Sequence, residues 1–157
     1  PTFPNAKYLF VRDEYDYWKQ KPEKEISDDR AGFEDSITPI VEAGLAEFIK
    51  IDHRIDKSIR LIPTAGHTPG HVSVLIESEK KSAIISGDIL HHPCQIANPG
   101  WAAWDTFPDK AKESRERLLE EIADKDVLLI GSHFADPVAG RVVTSKSGYI
   151  FVAEQNR

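Results

Sequence analysis

The sequence predicts a layered α/β (α+β) sandwich occupying one domain, 1–157, and three observations carry the prediction. Short apolar runs recur between turn residues: Ile59 to Ile62, Val72 to Ile76, Ala83 to Ile85 and Val127 to Ile130. Each has the length and β-branched content of a buried strand. Helical patterns alternate with them, clearest where Ala111, Leu118, Leu119 and Ile122 share one face. Finally, 157 residues suffice for one substantial core, and no stretch has the composition of an interdomain linker.

Taken in order, Lys7 to Val11 reads as a short strand and Asp13 to Lys19 as an acidic, aromatic helical turn. Gln20 to Asp29 is charged and contains Pro22, a surface connection. Asp35 to Phe48 places Ile37, Ile40, Val41, Leu45 and Phe48 at helical offsets, with Pro39 in the first turn, where a missing N–H costs little. The polar Glu77 to Ser82 stretch predicts a hairpin between two of the apolar runs. Thr106-Phe-Pro-Asp109 fits a variant capping box opening the next helix, on which Glu113 and Arg117 are spaced to pair. Arg141 to Val152, around Lys146-Ser-Gly148, reads as a closing hairpin.

Composition narrows the function. Twenty-six acidic against 20 basic residues give a net charge of −6, which argues against nucleic acid or an anionic membrane surface as partner. No apolar run approaches the roughly 20 residues of a bilayer span. Cys94 is the single cysteine, so there is no internal disulfide and no paired-cysteine metal motif, and a reducing, cytoplasmic setting is expected. The chain opens Pro-Thr-Phe-Pro and contains no Met, which predicts that residues precede Pro1 in the native protein.

Three predicted strands end alike. Arg60 to Ala65 runs into Gly66-His67, Ala83 to Ser86 into Gly87-Asp88, and Val127 to Ile130 into Gly131-Ser132-His133. Glycine permits a sharp exit, and the next side chain projects from a rigid element. Two imidazoles and a carboxylate brought together in this way suit zinc or another borderline divalent metal. Taken singly, each histidine is more readily a turn or surface residue, and the aspartate a turn residue or helix cap.

The motifs go further. Thr64-Ala-Gly-His-Thr-Pro-Gly-His71, Ser86-Gly-Asp-Ile-Leu90 followed by His91-His92-Pro93, and Gly131-Ser-His133 resemble, in order, the third, fourth and fifth motifs of the metallo-β-lactamase superfamily. Pro1-Thr-Phe-Pro-Asn-Ala6 with Tyr8 and Trp18 resembles the segment after the second motif in its lactonase and organophosphate-hydrolase-like branches. The resemblance implies the C-terminal half of an αββα sandwich, with a mixed sheet covered by helices. It implies His67 as ligand of one metal, His133 as ligand of the second and Asp88 as the bridge, with two zinc ions in the complete site. Hydroxide activated by that pair would attack an ester or lactone, acyl-homoserine lactones being the substrate type the branch suggests. Phosphotriester or thioester hydrolysis is the neighbouring alternative.

One departure matters. The family's HxHxDH motif occurs nowhere in the chain, and His53, in Asp-His-Arg-Ile-Asp56, is not part of such a pattern and reads as a surface residue. With one private ligand plus the bridge, each metal would fall short of the three protein ligands usual for catalytic zinc. This stretch alone is therefore expected to be inactive and to need a missing N-terminal half or another copy of itself. A non-catalytic half-fold interaction module is the remaining alternative.

Other residues carry two readings each. His91 stands near where lactonase-like relatives place a substrate-contacting tyrosine; it is a catalytic hydrogen-bonding residue or a plain loop residue. His71 braces the third-motif turn or backs a ligand, and His92 is a loop residue. Trp101, Trp104 and Phe107 form an apolar rim for an acyl chain or pack a long loop onto the core. Cys94 has no activating neighbours in sequence and is read as inert.

Overall fold

A computed structural model describes residues 1–21, 32–102 and 104–154. They group into two compact units, Pro1–Ile51 and Asp52–Arg157. The surface connection expected at Gln20 to Asp29 falls, from residue 22 on, outside the described residues.

In the first unit, strand β1 (Tyr8–Val11) pairs in parallel with β2 (Ala46–Ile49), setting Phe10 opposite Phe48. Helix α1 (Arg12–Gln20) follows β1 directly. The amphipathic helix expected over Asp35 to Phe48 is shorter than predicted. A π-helical turn, Phe33–Ile37, leads into α2 (Thr38–Glu42), which stops at Gly44 with φ +68°. Gly44 N–H donates to Val41 O and Leu45 N–H to Ile40 O, the paired bonds of a glycine-terminated helix end. Phe48 therefore belongs to β2, where the Tyr15 ring meets it edge-on at 4.7 Å and the Arg12 guanidinium lies 3.6 Å from its ring centroid. Its helical spacing was coincidental, because a left-handed glycine intervenes.

The second unit is a mixed six-stranded sheet in the order β3-β4-β5-β6-β7-β8. The strands are β3 (Ile59–Pro63), β4 (Val72–Ser78), β5 (Lys81–Ile85), β6 (Val127–Ile130), β7 (Ala139–Ser145) and β8 (Gly148–Ala153). The predicted hairpins form. β4 and β5 are joined through Glu79 and Lys80, both at positive φ, as a two-residue turn between twisted strands requires. All neighbours are antiparallel except β5 and β6. It follows that β3, β5 and β6 point the same way and end at one edge of the sheet.

The crossover between parallel β5 and β6 contains a 3-10 turn (Gly87–Ile89), the short helix α3 (Cys94–Ala97) and the long helix α4 (Pro108–Ile122). Ala111, Leu118, Leu119 and Ile122 are buried as the periodicity predicts, against Ile84, Leu129 and Val142 of the sheet. Each such leucine contributes about 2–3 kcal/mol over its exposed state.

Two expectations about α4 fail. Thr106 is not its cap: Phe107 precedes the helix and no side chain caps it. The Thr106 and Phe107 N–H groups donate instead to His67 O and Gly66 O, both at 2.9 Å, so the chain entering the helix is sewn to the loop after β3. Arg117 reaches the Pro63 carbonyl at 2.7 Å, and the i,i+4 ion pair on the helix joins Lys112 and Glu116.

Candidate metal centre

The common direction of β3, β5 and β6 gathers His67, Asp88 and His133. The Asp88 carboxylate divides between the histidines: Oδ1 lies 2.9 Å from His133 Nε2 and Oδ2 3.6 Å from His67 Nε2. His91 joins them. Its ring stacks on His133 (centroids 4.8 Å apart, planes at 16°) and lies 5.0 Å from the His67 ring. Among the described residues, one group of three ligand-bearing side chains has its donor atoms within 4.8 Å of one another: His67, Asp88 and His91. His133 lies outside that group but bonds Asp88 directly. Sequence reasoning gave His91 no part in metal binding.

The backbone explains how these side chains are aimed. Asp88 N–H donates to His71 Nε2 at 2.8 Å, which leaves the His71 proton on Nδ1, facing the Thr64 hydroxyl at 2.9 Å and the Thr64 carbonyl at 3.2 Å. His71 thus ties the end of β3 to the turn carrying Asp88, the bracing role among its two readings. Gly87, at φ +61°, makes this possible: a Cβ there would come within 2.7 Å of His71 Nε2.

Behind His67 lies a pair that sequence reasoning missed. His67 Nδ1 is 3.3 Å from Asp105 Oδ1, and Asp105 Oδ2 accepts a 2.6 Å bond from Arg115 Nη2. The two are buried, with side-chain exposures of 1% and 0%, against 16% for His67, 44% for Asp88 and 49% for His133. One clue was available: Arg115 falls on the apolar face of its helix, where an unpaired charge would be costly. Nothing local distinguishes Asp105. Gln95 was missed as well; it is buried, accepts from His91 N–H at 2.6 Å and donates to Trp101 O at 2.7 Å, so it fixes the backbone on both sides of a cleft.

The donor set suits a divalent cation. With a hydrogen on Nδ1 directed at Asp105, the other ring nitrogen of His67, Nε2, would be open to a cation, and it faces a carboxylate oxygen that could share that ion. Two ligands about 2.1 Å from a tetrahedral zinc lie about 3.4 Å apart, close to the 3.6 Å observed. His91 is held below the ordinary imidazole range, first by burial and then by the neighbouring His67 and His133, against the opposing pull of Asp88 and Asp105. It is therefore neutral at pH 7, the state in which an imidazole binds metal or exchanges hydrogen bonds.

A cleft of about 510 Å³ opens beside His91, lined by Gln95, Trp101 and Trp104 among others. Trp104 lies 5.7 Å from the His91 ring. Phe107 lines a separate hollow with Pro69 and Thr106, so the expected three-residue rim reduces to two tryptophans. His92 is an exposed loop residue whose Nδ1 accepts from Cys94 N–H. His53 is half-buried, away from the cluster, and its carbonyl accepts from Leu61 N–H.

The profile of the metallo-beta-lactamase superfamily matches residues 2–133. The chain belongs to the metallo-beta-lactamase superfamily. No curated protein matches it. Among solved structures of this superfamily's fold, hydrolase AbOPH of the beta lactamase superfamily is similar with a TM-score of 0.84 and 25% identity, over 99% of this chain and 57% of its own. AidC, a dizinc quorum-quenching lactonase in complex with a product, N-hexnoyl-L-homoserine, is similar at 0.80 and 22%, with the same coverages of 99% and 57%. A probable metal-dependent hydrolase from Staphylococcus aureus follows at 0.70 and 17%, over 99% of this chain and 55% of that one. The chain thus spans little more than half the length of these metallo-beta-lactamase-fold structures.

Proposed function

We propose that this chain is the part of a metal-dependent ester or lactone hydrolase that carries His67, Asp88 and His133 as metal ligands, with acyl-homoserine-lactone-like molecules as the substrate class. The observation that carries the reading is the split Asp88 carboxylate, one oxygen toward each histidine. A carboxylate so divided can serve two cations, because each oxygen keeps a lone pair for its own ion. The likeness to AidC, a lactonase, supports the substrate class.

Divalent zinc held there would supply acidified water and polarisation of the substrate oxygen. The remaining work falls to the protein. Neutral His91 sits between the ligands and the cleft, placed to hydrogen-bond the carbonyl or leaving oxygen. Trp101 and Trp104 offer apolar surface to an acyl chain.

Two private histidines and one bridge are too few for two metals. We infer that an HxHxDH-bearing segment, in the same polypeptide or a partner, completes the centre and covers the sheet. Register places Ile85, Ile150 and Val152 on the face opposite α4, and all three are exposed. On this reading the described stretch alone is inactive.

The deciding experiment supplies that segment to the chain and measures metal and turnover together. The expected result is about two zinc per chain and hydrolysis of lactones or esters, both abolished by Asp88→Ala. Full metal loading with no turnover across esters, lactones and phosphotriesters would overturn the proposal.

A further inference from the structure

Arg115 and Asp105 are fully buried charges outside the strand-end motifs. Arg115 donates from Nε to Ile89 O at 2.6 Å, from Nη1 to Pro99 O at 3.2 Å and from Nη2 to Asp105 at 2.6 Å. Ile89 closes the 3-10 turn that carries Asp88, and Asp105 backs the ring of His67. One guanidinium therefore connects the supports of two candidate ligands that come from different strands. A buried ion pair is poor evidence for added stability, since desolvation offsets most of the attraction. What this pair does supply is direction.

The geometry assigns Asp105, held by Arg115, as a positioning residue that sets the tautomer of His67, keeping the proton on Nδ1 and the Nε2 lone pair toward the metal. This inference rests on the metal-centre reading above. Both Asp105 oxygens are acceptors, one taken by Arg115 and the other left for His67 Nδ1, so of the two neutral tautomers the Nδ1–H form alone is satisfied. An arginine cannot reverse its role, because it has donors and no acceptor.

A sharp consequence follows for Asp105→Asn. The amide has a single oxygen, and Arg115, which can only donate, claims it. The amide NH2 then faces His67 Nδ1 and forces that nitrogen to accept, moving the proton to Nε2, the atom required for metal. Asp105→Ala imposes no tautomer, yet it strips Arg115 of its buried acceptor. The conservative Asn should therefore harm zinc binding more, and Ala should harm folding more. A merely structural role puts Ala last on both scales.

The test supplies the HxHxDH-bearing segment and measures zinc dissociation constants by chelator competition, and thermal midpoints, for the parent chain and both variants. Zinc affinity should fall about 10- to 100-fold in Asp105→Asn and less in Asp105→Ala, while the midpoint falls furthest in Asp105→Ala. Affinity in Asp105→Asn within about twofold of the parent, or lower affinity in Ala than in Asn, overturns the assignment. Imidazole nitrogen NMR shifts of the metal-free proteins give a second readout, which decides the matter if Asp105→Ala does not fold. His67 should be protonated at Nδ1 in the parent and at Nε2 in Asp105→Asn; the same tautomer in both overturns the assignment. A completed protein that takes up no zinc sinks the metal-centre reading instead, and the nitrogen shifts still decide the tautomer.

Discussion

His67 and His133 face the same carboxylate from strand ends of the same direction, yet they are held very differently. The loop bearing His67 is bonded at Ala65, Gly66 and His67 by Ser114, Phe107 and Thr106, and its ring is backed by a buried acid. His133 stands half exposed, and among the described residues its ring meets Asp88 and the stacked His91. The same residue type after the same kind of strand is thus rigid in one case and lightly held in the other. The difference lies in what stands behind the ligand, since an imidazole fixed through its second nitrogen keeps its direction without metal.

The comparison can be broken most severely at its rigid side. Arg115→Met leaves Asp105 buried without its partner and should cost about 3–5 kcal/mol, read as a drop in urea stability; an unchanged midpoint would show that the pair does not brace the loop. Gly66→Ala comes next. Gly66 sits at φ +138°, and an added Cβ would strike the backbone of Ala111, so a loss of about 1–3 kcal/mol is expected. Gly100→Ala, whose Cβ meets only the flexible Lys112 side chain at 3.6 Å, is the control that should change little.

On the lightly held side, His133→Ala should shift stability by less than about 0.5 kcal/mol in metal-free protein. A loss as large as that from Gly66→Ala would erase the contrast.

The smallest effect belongs to an ion pair of the same chemistry at the surface. Asp126 is held below the usual carboxylate range, first by its hydrogen bond from Lys81 and then by that from Arg141. Its folded pKa lies below the unfolded one, so its contribution is present above the unfolded value and lost as pH falls through the folded value. Asp126→Asn should flatten the acid limb of a stability–pH curve slightly, and added salt should remove the difference. A salt-resistant effect would contradict the assignment.

How much of this was legible depended on range. Strands β3 to β8 could be read because apolar runs and turn residues are local signals, and so could the strand-end placement of His67, Asp88 and His133. Helix limits were less secure: Gly44 ended α2 inside an apparently continuous apolar spacing, and Thr106 spent its N–H on His67 O rather than opening a capping box. The support of the site was the least visible. Asp105 and Arg115 matter through a partner 38 positions away in one case and 26 in the other, and pairings at that distance leave no local trace.

Arg115 also has a bearing on how the cleft can diversify. Its bonds hold the chain at Ile89, Pro99 and Asp105, and Gln95 pins Trp101 between the last two. Trp101 and Trp104 hang between these posts with their side chains outward. The wall can therefore be repapered, residue by residue, while the frame that carries the ligands stays where it is. On the proposed reading, positions 101 and 104 are where substrate preference would be varied, with 105 and 115 left untouched.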